Sequence, residues 1–381
     1  MKIVFTGGGT GGHTFPLIAV ARELNNIARE RKEVLDLVFM GHATGTEELM
    51  RKNGIKPIHI STEKFRRYFS FHYLLVLPKI IIGFIQAYIY LLWHMPDVIF
   101  SKGGYGSFPV VVVGWLFKIP VITHESDAIS GMANRVMARF CKKIIVSFPG
   151  EYPKLPSEKI VHIGNPVRNF SNIPAPMEAK KILGISSQKP VIFIMGGSQG
   201  AQQINTLIVS ILEKIVQEYE VIHVTGKDHF GPIKEYANRL PANLKNSYHP
   251  HAFLEEEQLK LAYSASDLVI SRAGAGAIFE IASVGRASIL IPLAGSAYGH
   301  QQKNAQTYQA TGACIALDAG NLTDDFLMER ISSITKDPQK KRAMQEAAIK
   351  FSKPNAAKEI AEILVGLNKK LSKQKIIKNY G

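Results

Sequence analysis

Short runs of apolar, mostly β-branched residues recur through the first part of the chain, and a segment long enough for a helix separates most of them. The strands predicted from these runs are Ile3–Phe5, Leu35–Met40, Ile58–Ile60, Val98–Phe100, Val121–Thr123 and Ile144–Val146. A helix is predicted from about Thr14 to Arg31, between the first two strands. Because parallel strands need crossover connections, this alternation predicts an α/β fold with a doubly wound parallel sheet.

The same alternation begins again after residues 169–189, a stretch with prolines and no obvious strand. The strands predicted beyond it are Val191–Met195, Val221–Thr225, Leu268–Ser271 and Ser288–Ile291. We therefore predict two domains, 1–166 and 167–353, each long enough to bury a core of its own. The helical pattern that returns at about 354–381 predicts a closing helix that packs back onto the first domain.

One apolar stretch, Tyr73–Trp93, is long enough to span a bilayer, which needs about 20 apolar residues. Pro78, Lys79 and Gln86 interrupt it, and a central lysine costs roughly 2.5 kcal/mol or more on insertion. We therefore expect a peripheral surface that lies on a membrane. Residues that fit such a surface are Lys64, Arg66, Arg67, Phe69, Trp115 and Lys118. A buried helix pair is the alternative for the residues after Ile82.

The chain is strongly basic, with a formal net charge of +15 and a pI near 9.6. Such a charge predicts attraction to polyanions, which include nucleic acid, nucleotide phosphates and an anionic membrane surface. Charge alone does not choose among them. Part of the excess lies in Val365–Gly381, whose lysines are typical of a solvated chain end.

Cysteine usage and the N-terminal residues favour a cytosolic protein. Only Cys141 and Cys314 occur, too few for a disulfide framework or a metal cluster, and this favours a reducing compartment. Lys2 is followed by three apolar residues and soon by glycines, so no signal peptide is expected. Neither a metal nor a cofactor is predicted.

Residues 7–13, GGGTGGH, connect the first predicted strand to the first predicted helix. Glycine leaves backbone N–H groups unhindered, and the positive end of a helix attracts anions. The segment predicts a loop that binds a phosphate or an anionic transition state; a tight turn of any Rossmann-like unit is the alternative. Because it lacks a Gly-Lys-Ser/Thr ending and no acidic residue closes the second strand, ATP and NAD are disfavoured.

His13 ends this glycine loop at the predicted start of the helix. The positive helix end disfavours an imidazolium and keeps the ring neutral near pH 7, so that the ring can accept a proton. The glycine context favours such a catalytic role, and a histidine that caps or packs the helix is the alternative.

Two further glycine turns follow predicted strands. Residues 101–106, SKGGYG, can let a ligand approach the backbone, which is a weak signal by itself. Residues 196–201, GGSQGA, offer backbone N–H groups and the Ser198 hydroxyl to a pyrophosphate.

A cluster of carboxylate and amide side chains lies near the end of the second domain. Residues 271–277, SRAGAGA, run from a predicted strand toward Glu280, and Gln301 and Gln302 follow. Carboxylate and amide groups suit sugar hydroxyls, although each of these residues taken alone is more often a helix-surface residue.

Together these segments closely resemble the MurG family of peptidoglycan N-acetylglucosaminyltransferases, over nearly the whole chain. The motifs that carry the resemblance are GGGTGGH at 7–13, SKGGYGSFP at 101–109, HESDAISG at 124–131, GNPVR at 164–168, GGSQGA at 196–201, RAGAGAIFE at 272–280 and HQQKNA at 300–305. The resemblance implies an α/β protein of the GT-B fold, in which two Rossmann-like doubly wound domains face a cleft.

The family's activity implies inverting transfer of N-acetylglucosamine from UDP-N-acetylglucosamine to the C4 hydroxyl of undecaprenyl-pyrophosphoryl-MurNAc-pentapeptide (lipid I), which gives lipid II for the cell wall. It implies an acceptor- and membrane-associated first domain, a donor-binding second domain and a peripheral place on the cytoplasmic face of the inner membrane. The expected partners are the two substrates, an anionic membrane surface and possible cell-wall synthesis proteins, but no nucleic acid. Another glycolipid-forming GT-B transferase and a non-catalytic nucleotide-sugar-binding protein are the alternatives.

The resemblance also implies roles for individual residues. Those carried over to the donor site are Arg168, Ser198, the backbone around Leu254 and Ala275, Glu280 on the ribose, and Gln301 and Gln302 on the sugar. Those that approach the donor sugar and acceptor from the first domain are Thr10, Gly11, Gly12, His13 and Asp127. His13 is our hypothesis for the general base, with Glu125 as orienter or alternative base.

This sequence departs from the family at several of these positions. Asp127 stands where asparagine is usual, which keeps an acceptor oxygen but loses the amide donor and adds charge. Ala277 and Phe279 stand where hydroxyl residues are frequent, so only backbone contacts are carried over there.

Overall fold

The structure, a computed structural model, describes residues 1–8, 11–42, 45–62, 73–197, 201–293, 299–318, 320 and 322–367, with only the backbone described for residues 11 and 73–77. The chain divides into two compact units. Unit 1 consists of Met1–Arg168 and the chain from Lys353 onward, and unit 2 of Asn169–Ser352. The predicted site residues Thr10 and Ser198 and the predicted membrane residues Lys64, Arg66, Arg67 and Phe69 lie outside the described residues.

Unit 1 is an α/β unit with a single parallel sheet. In chain order its first elements are β1 (Lys2–Gly7), α1 (Gly11–Arg31), β2 (Asp36–Gly41), α2 (Glu47–Lys52), β3 (Ile55–His59), α3 (Tyr73–His94), β4 (Val98–Ser101), α4 (Phe108–Leu116), β5 (Val121–Glu125), α5 (Met132–Met137), β6 (Lys143–Val146) and β7 (Ile160–His162). The strands form a seven-stranded sheet in the order β3-β2-β1-β4-β5-β6-β7, and every pair is parallel.

Unit 2 repeats this architecture. Its elements are α6 (Pro176–Ile182), β8 (Val191–Met195), α7 (Gln202–Ser210), α8 (Leu212–Glu218), β9 (Glu220–Val224), α9 (Lys227–Asn238), α10 (Ala242–Lys245), β10 (Tyr248–His251), α11 (Glu256–Ala265), β11 (Leu268–Ser271), α12 (Ala275–Ser283), β12 (Ser288–Leu290), α13 (His300–Gln309), β13 (Cys314–Ala316), α14 (Asp324–Thr335) and α15 (Pro338–Phe351). The six-stranded sheet has the order β10-β9-β8-β11-β12-β13 and is parallel throughout. The predicted α/β class with two Rossmann-like doubly wound domains is confirmed.

The interior strands are mostly apolar because both faces of each sheet are covered. In β1, Ile3 and Phe5 belong to a core shared with α1, whereas Val4 points into the core on the other face, with α3 and α4. The last helix of unit 1, α16 (Ala356–Gly366), packs against α1 and adds Ile360 and Leu364 to the first of these cores.

The apolar stretch that begins at Tyr73 forms the single helix α3, which packs on α4. Gly83 lets α3 lie against the segment that follows β3, because a Cβ at this position would collide with the carbonyl oxygen of Ser61. The Gln86 side chain, which interrupts the apolar run, accepts a hydrogen bond of 2.8 Å from the Ser61 N–H. Among the helices that the structure describes, none is both long enough and apolar enough to cross a membrane.

Candidate functional site

His13 lies in the first turn of α1, shortly after the end of β1. Its ring packs against glycine backbone: a Cβ at Gly8 or at Gly104 would lie 3.4 Å or 3.5 Å from the nearest ring atom. The residue keeps some exposure, but its Nδ1 atom is fully enclosed and has no hydrogen-bond partner among the described residues. Because buried polar atoms are normally hydrogen-bonded, an unpaired imidazole nitrogen calls for a functional explanation.

Burial is the main reason that the pKa of His13 falls to about 4. The Lys102 charge lowers this pKa further, whereas Asp127 and a hydrogen bond to the backbone of Lys102 raise it. The ring is therefore neutral at pH 7. We predicted that the positive helix end would keep the ring neutral, but burial makes the largest contribution to the lowered pKa. A neutral ring that donates its one N–H to a carbonyl keeps its other nitrogen as an acceptor.

Lys102 follows β4 directly and is almost completely buried, with 2% of its surface exposed. Its Nζ donates hydrogen bonds to Ser126 Oγ and, over 3.5 Å, to Asn165 Oδ1. Burial lowers the pKa of the ammonium to about 8, against the opposing charges of Glu125 and Asp127. The carboxyl edge of the unit 1 sheet thus holds a buried cation beside His13.

Glu125 ends β5, and its buried carboxylate organises the segment that follows. It accepts hydrogen bonds from the N–H groups of Asp127 (3.2 Å) and Gly131 (2.8 Å) and from Asn134 Nδ2 (2.8 Å). Burial and the Asp127 charge raise the pKa of Glu125, while these hydrogen bonds lower it. Both carboxylate oxygens are occupied by the loop, which is typical of an orienting side chain.

Asp127 and His124 flank this carboxylate. Asp127 is half-buried, and its carbonyl accepts a hydrogen bond of 3.1 Å from the Tyr152 hydroxyl. His124 is fully buried, with Nε2 2.9 Å from Ser147 Oγ and 3.2 Å from the Gly164 carbonyl. Burial, followed by the Lys102 charge, holds the pKa of His124 well below its ordinary value.

The glycine turn after β4 serves packing at this edge. Gly103 and Gly104 have φ angles of +80° and +82°, which side-chain-bearing residues rarely adopt. A Cβ at Gly103 would collide with the Asn134 side chain, and one at Gly104 would press on His13. The predicted ligand-approach turn therefore lets the backbone pass close to these two side chains.

The remaining unit 1 residues are placed as follows. Gly11 and Gly12 are the first two residues of α1. Arg168 is the last residue of the main segment of unit 1, and its guanidinium carbon lies 4.0 Å from the centre of the Phe15 ring on α1. The structure therefore brings Arg168 to the same helix as His13.

In unit 2, β8 leads into Gly196 and Gly197, and Gly197 has a φ of +88°. A Cβ at Gly197 would lie 3.0 Å from Arg272 Nη2, so the guanidinium lies directly against this turn. Arg272 Nε is buried and has no partner among the described residues, and burial lowers the pKa of the guanidinium. A buried guanidinium beside a glycine turn at the carboxyl edge of a parallel sheet suits an anion.

Glu280 lies on α12 and is buried. Its Oε2 accepts a hydrogen bond of 3.2 Å from the Tyr263 hydroxyl, which also contacts Met195 Sδ at 3.0 Å. The two contacts place the carboxylate near the end of β8. Ala275 begins α12, and Leu254 lies between β10 and α11, and both are buried.

The paired glutamines begin α13. Gln301 Oε1 accepts a hydrogen bond of 3.0 Å from the Leu293 N–H, which leaves the amide NH₂ as its donor group, and Gln302 is exposed. Asn304, fully buried in the same helix, donates a hydrogen bond of 3.2 Å to the Ala273 carbonyl. This bond ties α13 to the turn that contains Arg272.

Lys102, Arg272 and Asn304 were not among the predicted site residues. The available signal for Lys102 and Arg272 was their position after a predicted strand, at the edge where parallel sheets bind ligands. Only the structure reveals that Lys102 is buried and that Arg272 is half-buried. Among the described residues, no group of three or more His, Cys, Asp and Glu side chains is arranged to hold a metal ion.

Comparisons with known proteins agree with this architecture. The family model described as the glycosyltransferase family 28 N-terminal domain matches residues 3–146, and that of the family 28 C-terminal domain matches residues 191–360.

Two curated relatives are named UDP-N-acetylglucosamine–N-acetylmuramyl-(pentapeptide) pyrophosphoryl-undecaprenol N-acetylglucosamine transferase. The one from Legionella pneumophila is 37% identical over 339 residues, covering 87% of this chain and 88% of the relative. The other, numbered 2 in Bacillus cereus, is 35% identical over 363 residues and covers 95% and 98%.

The crystal structure of Acinetobacter baumannii MurG is similar to this chain with a TM-score of 0.73 and 25% identity, over 96% of this chain and 99% of that one. This likeness confirms the GT-B assignment. The chain belongs to glycosyltransferase family 28 and, within it, to the MurG family.

Proposed function

We propose that this chain transfers N-acetylglucosamine from UDP-N-acetylglucosamine to the C4 hydroxyl of undecaprenyl-pyrophosphoryl-MurNAc-pentapeptide, with inversion, giving lipid II. The names of its relatives supply the two substrates. The observation in this chain that carries the proposal is the neutral His13 imidazole, which lies at the carboxyl edge of the unit 1 sheet with Nδ1 unpaired among the described residues. A neutral imidazole nitrogen can accept the proton of an attacking hydroxyl, and the proposal requires that this nitrogen becomes accessible when the acceptor binds.

Unit 1 supplies acceptor activation in this proposal. His13 takes the proton from the acceptor hydroxyl as the new glycosidic bond forms. Glu125 is the orienter rather than the base, because its two oxygens already accept three hydrogen bonds from its own loop. Through this loop it fixes the backbone of Asp127, whose carboxylate faces the acceptor. Gly11 and Gly12 begin α1, and this helix end favours the acceptor's anionic groups. Thr10 stays a further proposed contact of the substrates.

Unit 2 holds the donor in this proposal. Arg272 and the Gly196–Gly197 turn stabilise the charge that develops on the UDP pyrophosphate as it leaves. Glu280, oriented by the Tyr263 hydroxyl, accepts hydrogen bonds from the ribose. The free amide groups of Gln301 and Gln302 bind the sugar, and the backbone around Leu254 and Ala275 completes the site. Ser198 and Arg168 remain further proposed contacts of the pyrophosphate.

The decisive experiment incubates purified protein with UDP-N-acetylglucosamine and a lipid I analogue and measures the release of UDP. UDP-glucose and UDP-N-acetylgalactosamine replace the donor in matched reactions, and a non-muramyl polyprenyl glycolipid replaces the acceptor. We expect turnover with N-acetylglucosamine and the muramyl acceptor alone. Turnover with the other acceptor would indicate a different glycolipid transferase, and donor binding without turnover on any acceptor would indicate a non-catalytic protein.

We also propose that unit 1 lies on the cytoplasmic face of the inner membrane through α3 and α4. The large apolar residues exposed on these helices are Ile81, Ile82, Ile85, Tyr88, Ile89, Leu92, Trp93, Trp115 and Leu116. Gly83, Ala87 and Leu91 form the opposite, buried face of α3, so the helix is apolar on both sides. A basic pocket adjoins Trp115, and the cations that line it are Lys118, Arg139, Lys142 and Lys159. Apolar contact combined with basic attraction suits a peripheral protein.

Vesicle flotation tests this surface with a matched pair of variants. Ile85→Ser removes an isoleucine that is 53% exposed on α3, and Ile182→Ser removes one that is 57% exposed in unit 2. We expect the first to weaken binding to vesicles with anionic lipid about tenfold, because a large apolar side chain contributes roughly 1.5 kcal/mol or more on burial. The second should bind like wild type. Equal behaviour of the two variants would contradict the assignment.

A further inference from the structure

Lys102 connects three segments of unit 1 that are far apart in sequence. Its backbone N–H donates a hydrogen bond of 2.8 Å to the Thr6 carbonyl of β1. Its side chain donates hydrogen bonds to Ser126, which follows Glu125 in the chain, and to Asn165 in the segment that leads to Arg168. An ammonium this deeply buried is stable only with polar partners, so the Ser126 and Asn165 segments are held in one arrangement while it stays charged. The bond to Thr6 comes from the backbone and does not depend on this charge.

The side chains of Lys102 and His13 lie side by side across Gly7. A Cβ at Gly7 would lie 3.1 Å from Lys102 Cβ, which is tight, and 3.8 Å from His13 Cβ, which is an ordinary contact, so this position lies between the two side chains. The imidazole also hydrogen-bonds to the backbone of Lys102. The ammonium and the imidazole are therefore fixed relative to each other by main chain as well as by side chain.

The charged and titratable groups around His13 come from two strand ends and one loop. The β4 end contributes Lys102, the β5 end contributes His124 and Glu125, and the following loop contributes Asp127. Among these, Lys102 is the one that carries positive charge near neutral pH. Its charge lowers the pKa of His13 and so opposes Asp127, whose carboxylate raises that pKa.

We propose that Lys102 is a positioning residue for the transfer reaction: its ammonium holds the Ser126 and Asn165 segments beside His13 and, together with burial, disfavours protonation of the imidazole. This inference rests on the proposed function, since it acts through His13 as the base. It predicts that the charge of Lys102, and not only its bulk, sets the pH range in which the enzyme works.

The pH dependence of kcat/KM tests the role of the charge. In the wild type we expect activity to fall below about pH 4, as His13 protonates, and above about pH 8, as Lys102 loses its proton. Lys102→Met removes the charge at similar length, so the acidic limb should move up by about 1 pH unit or more and the basic limb should disappear. Lys102→Arg keeps a charge that does not titrate, so the acidic limb should stay and the basic limb should disappear. Lower activity with both limbs unmoved would show a purely structural role.

NMR titration of the His13 imidazole supplies a measurement that needs no turnover. The His13 signal is the one that is absent from His13→Gln, and its apparent pKa should rise in Lys102→Met. The wild-type signal alone should show a second, small step near pH 8 as Lys102 deprotonates, so the test survives even if every Lys102 variant misfolds. No step in the wild type, or an unshifted pKa in a folded Lys102→Met, would overturn the proposal. Absence of turnover in the wild type would instead count against the proposed function alone.

Discussion

The two units have the same sheet architecture but different polar interiors at the carboxyl edges of their sheets. In unit 1, buried ionisable groups with opposite charges meet there, including Lys102 and Glu125. Unit 2 also has charged groups at this edge, Arg272 and Glu280, but the polar interior near the end of β9 is a neutral network: His223 lies 2.8 Å from the Tyr248 hydroxyl and 3.0 Å from Asn205 Oδ1. Asn205 in turn donates a hydrogen bond to the Thr225 carbonyl.

The contrast is sharpest between His13 and His223. Burial lowers the pKa of both, to about 4 and about 3. Both nitrogens of His223 have partners, whereas Nδ1 of His13 has none among the described residues. A lowered histidine pKa alone therefore does not identify a catalytic residue. The unpaired nitrogen distinguishes His13 from His223 but not from His124, whose Nδ1 also has no partner among the described residues; His13 differs from His124 in keeping some exposure.

The largest effect should follow from replacing His13. We expect His13→Gln to lower kcat about 10²- to 10⁴-fold, because the acceptor hydroxyl loses its base. Donor affinity, measured by calorimetry with UDP-N-acetylglucosamine, should fall much less than kcat, since most of the proposed donor contacts lie in unit 2.

His223→Gln is the matched control for this substitution, because it changes a histidine whose pKa is also lowered by burial but whose two ring nitrogens are both paired. It should leave kcat within a few-fold of wild type in protein that remains folded. Near-normal turnover of His13→Gln, or an equal loss in both variants, would remove the distinction between the two histidines.

The second largest effect should come from replacing Arg272, and a comparison with Arg286 distinguishes an arginine that binds the donor from one that supports the fold. Arg272→Met should raise the KM for UDP-N-acetylglucosamine about 10- to 100-fold, since charge-assisted hydrogen bonds to the pyrophosphate contribute about 1.5–3 kcal/mol. Arg286 is the matched control in the same unit, because its guanidinium donates to the carbonyls of Tyr263 (3.0 Å) and Ser264 (2.8 Å).

Arg286→Met should therefore lower the free energy of unfolding and leave the donor KM of the folded protein unchanged. Initial-rate kinetics on both variants measure the donor KM, and urea unfolding measures the free energy of unfolding. A donor KM that rises equally in the two variants would contradict the assignment of Arg272 to the pyrophosphate.

A third, smaller effect concerns the neutral network itself. His223→Leu leaves the Tyr248 hydroxyl and Asn205 Oδ1 without their partner in a fully buried place. We expect the free energy of unfolding to fall by about 1–3 kcal/mol, measured by urea denaturation. Removing the Tyr248 hydroxyl as well should recover part of the loss, because one fewer polar group is then buried unpaired. No destabilisation by His223→Leu would show that the network does not support the fold.

The sequence predicts the interior strands of each sheet better than the strands at its two sides. Strands that lie inside the sheets, such as β1, β4, β8 and β11, are continuous apolar runs because both faces are covered. β7, β10 and β13 were not predicted, and all three are edge strands. β10 has the sequence YHPH, and its proline is tolerated because an edge strand has an unpaired side.

For the site, the motifs identify which loops matter but not which side chains are buried together. Lys102 and Asn165 are 63 residues apart, and their contact exists only because β4 lies beside β5 and the Asn165 segment follows β7. Burial of the lysine, and hence its effect on His13, is a tertiary property that no spacing in the chain reveals. The roles of the predicted site residues stay predictions.

The smallest effect should come from replacing Glu220, a buried carboxylate of unit 2. It lies at the amino-terminal edge of the sheet, opposite the carboxyl edge that holds the proposed site. Glu220 begins β9 and accepts hydrogen bonds from Ser187 Oγ (2.7 Å) and Ser247 Oγ (3.2 Å), and it pairs with His249 at 2.8 Å. Burial alone would raise the pKa of Glu220, but these hydrogen bonds and the His249 charge lower it overall.

A carboxylate whose pKa is lowered on folding stabilises the protein above its unfolded pKa, about 4.3 for glutamate, and this contribution is lost as the pH falls through the folded value. Wild type should therefore be more stable than Glu220→Gln at pH 7, and the difference should shrink below about pH 4, as measured by urea unfolding across this range. Because Glu220 lies at the edge away from the proposed chemistry, kcat at pH 7 should not change. A pH-independent difference in stability, or a loss of kcat in the folded variant, would break the contrast between a structural edge and a catalytic one.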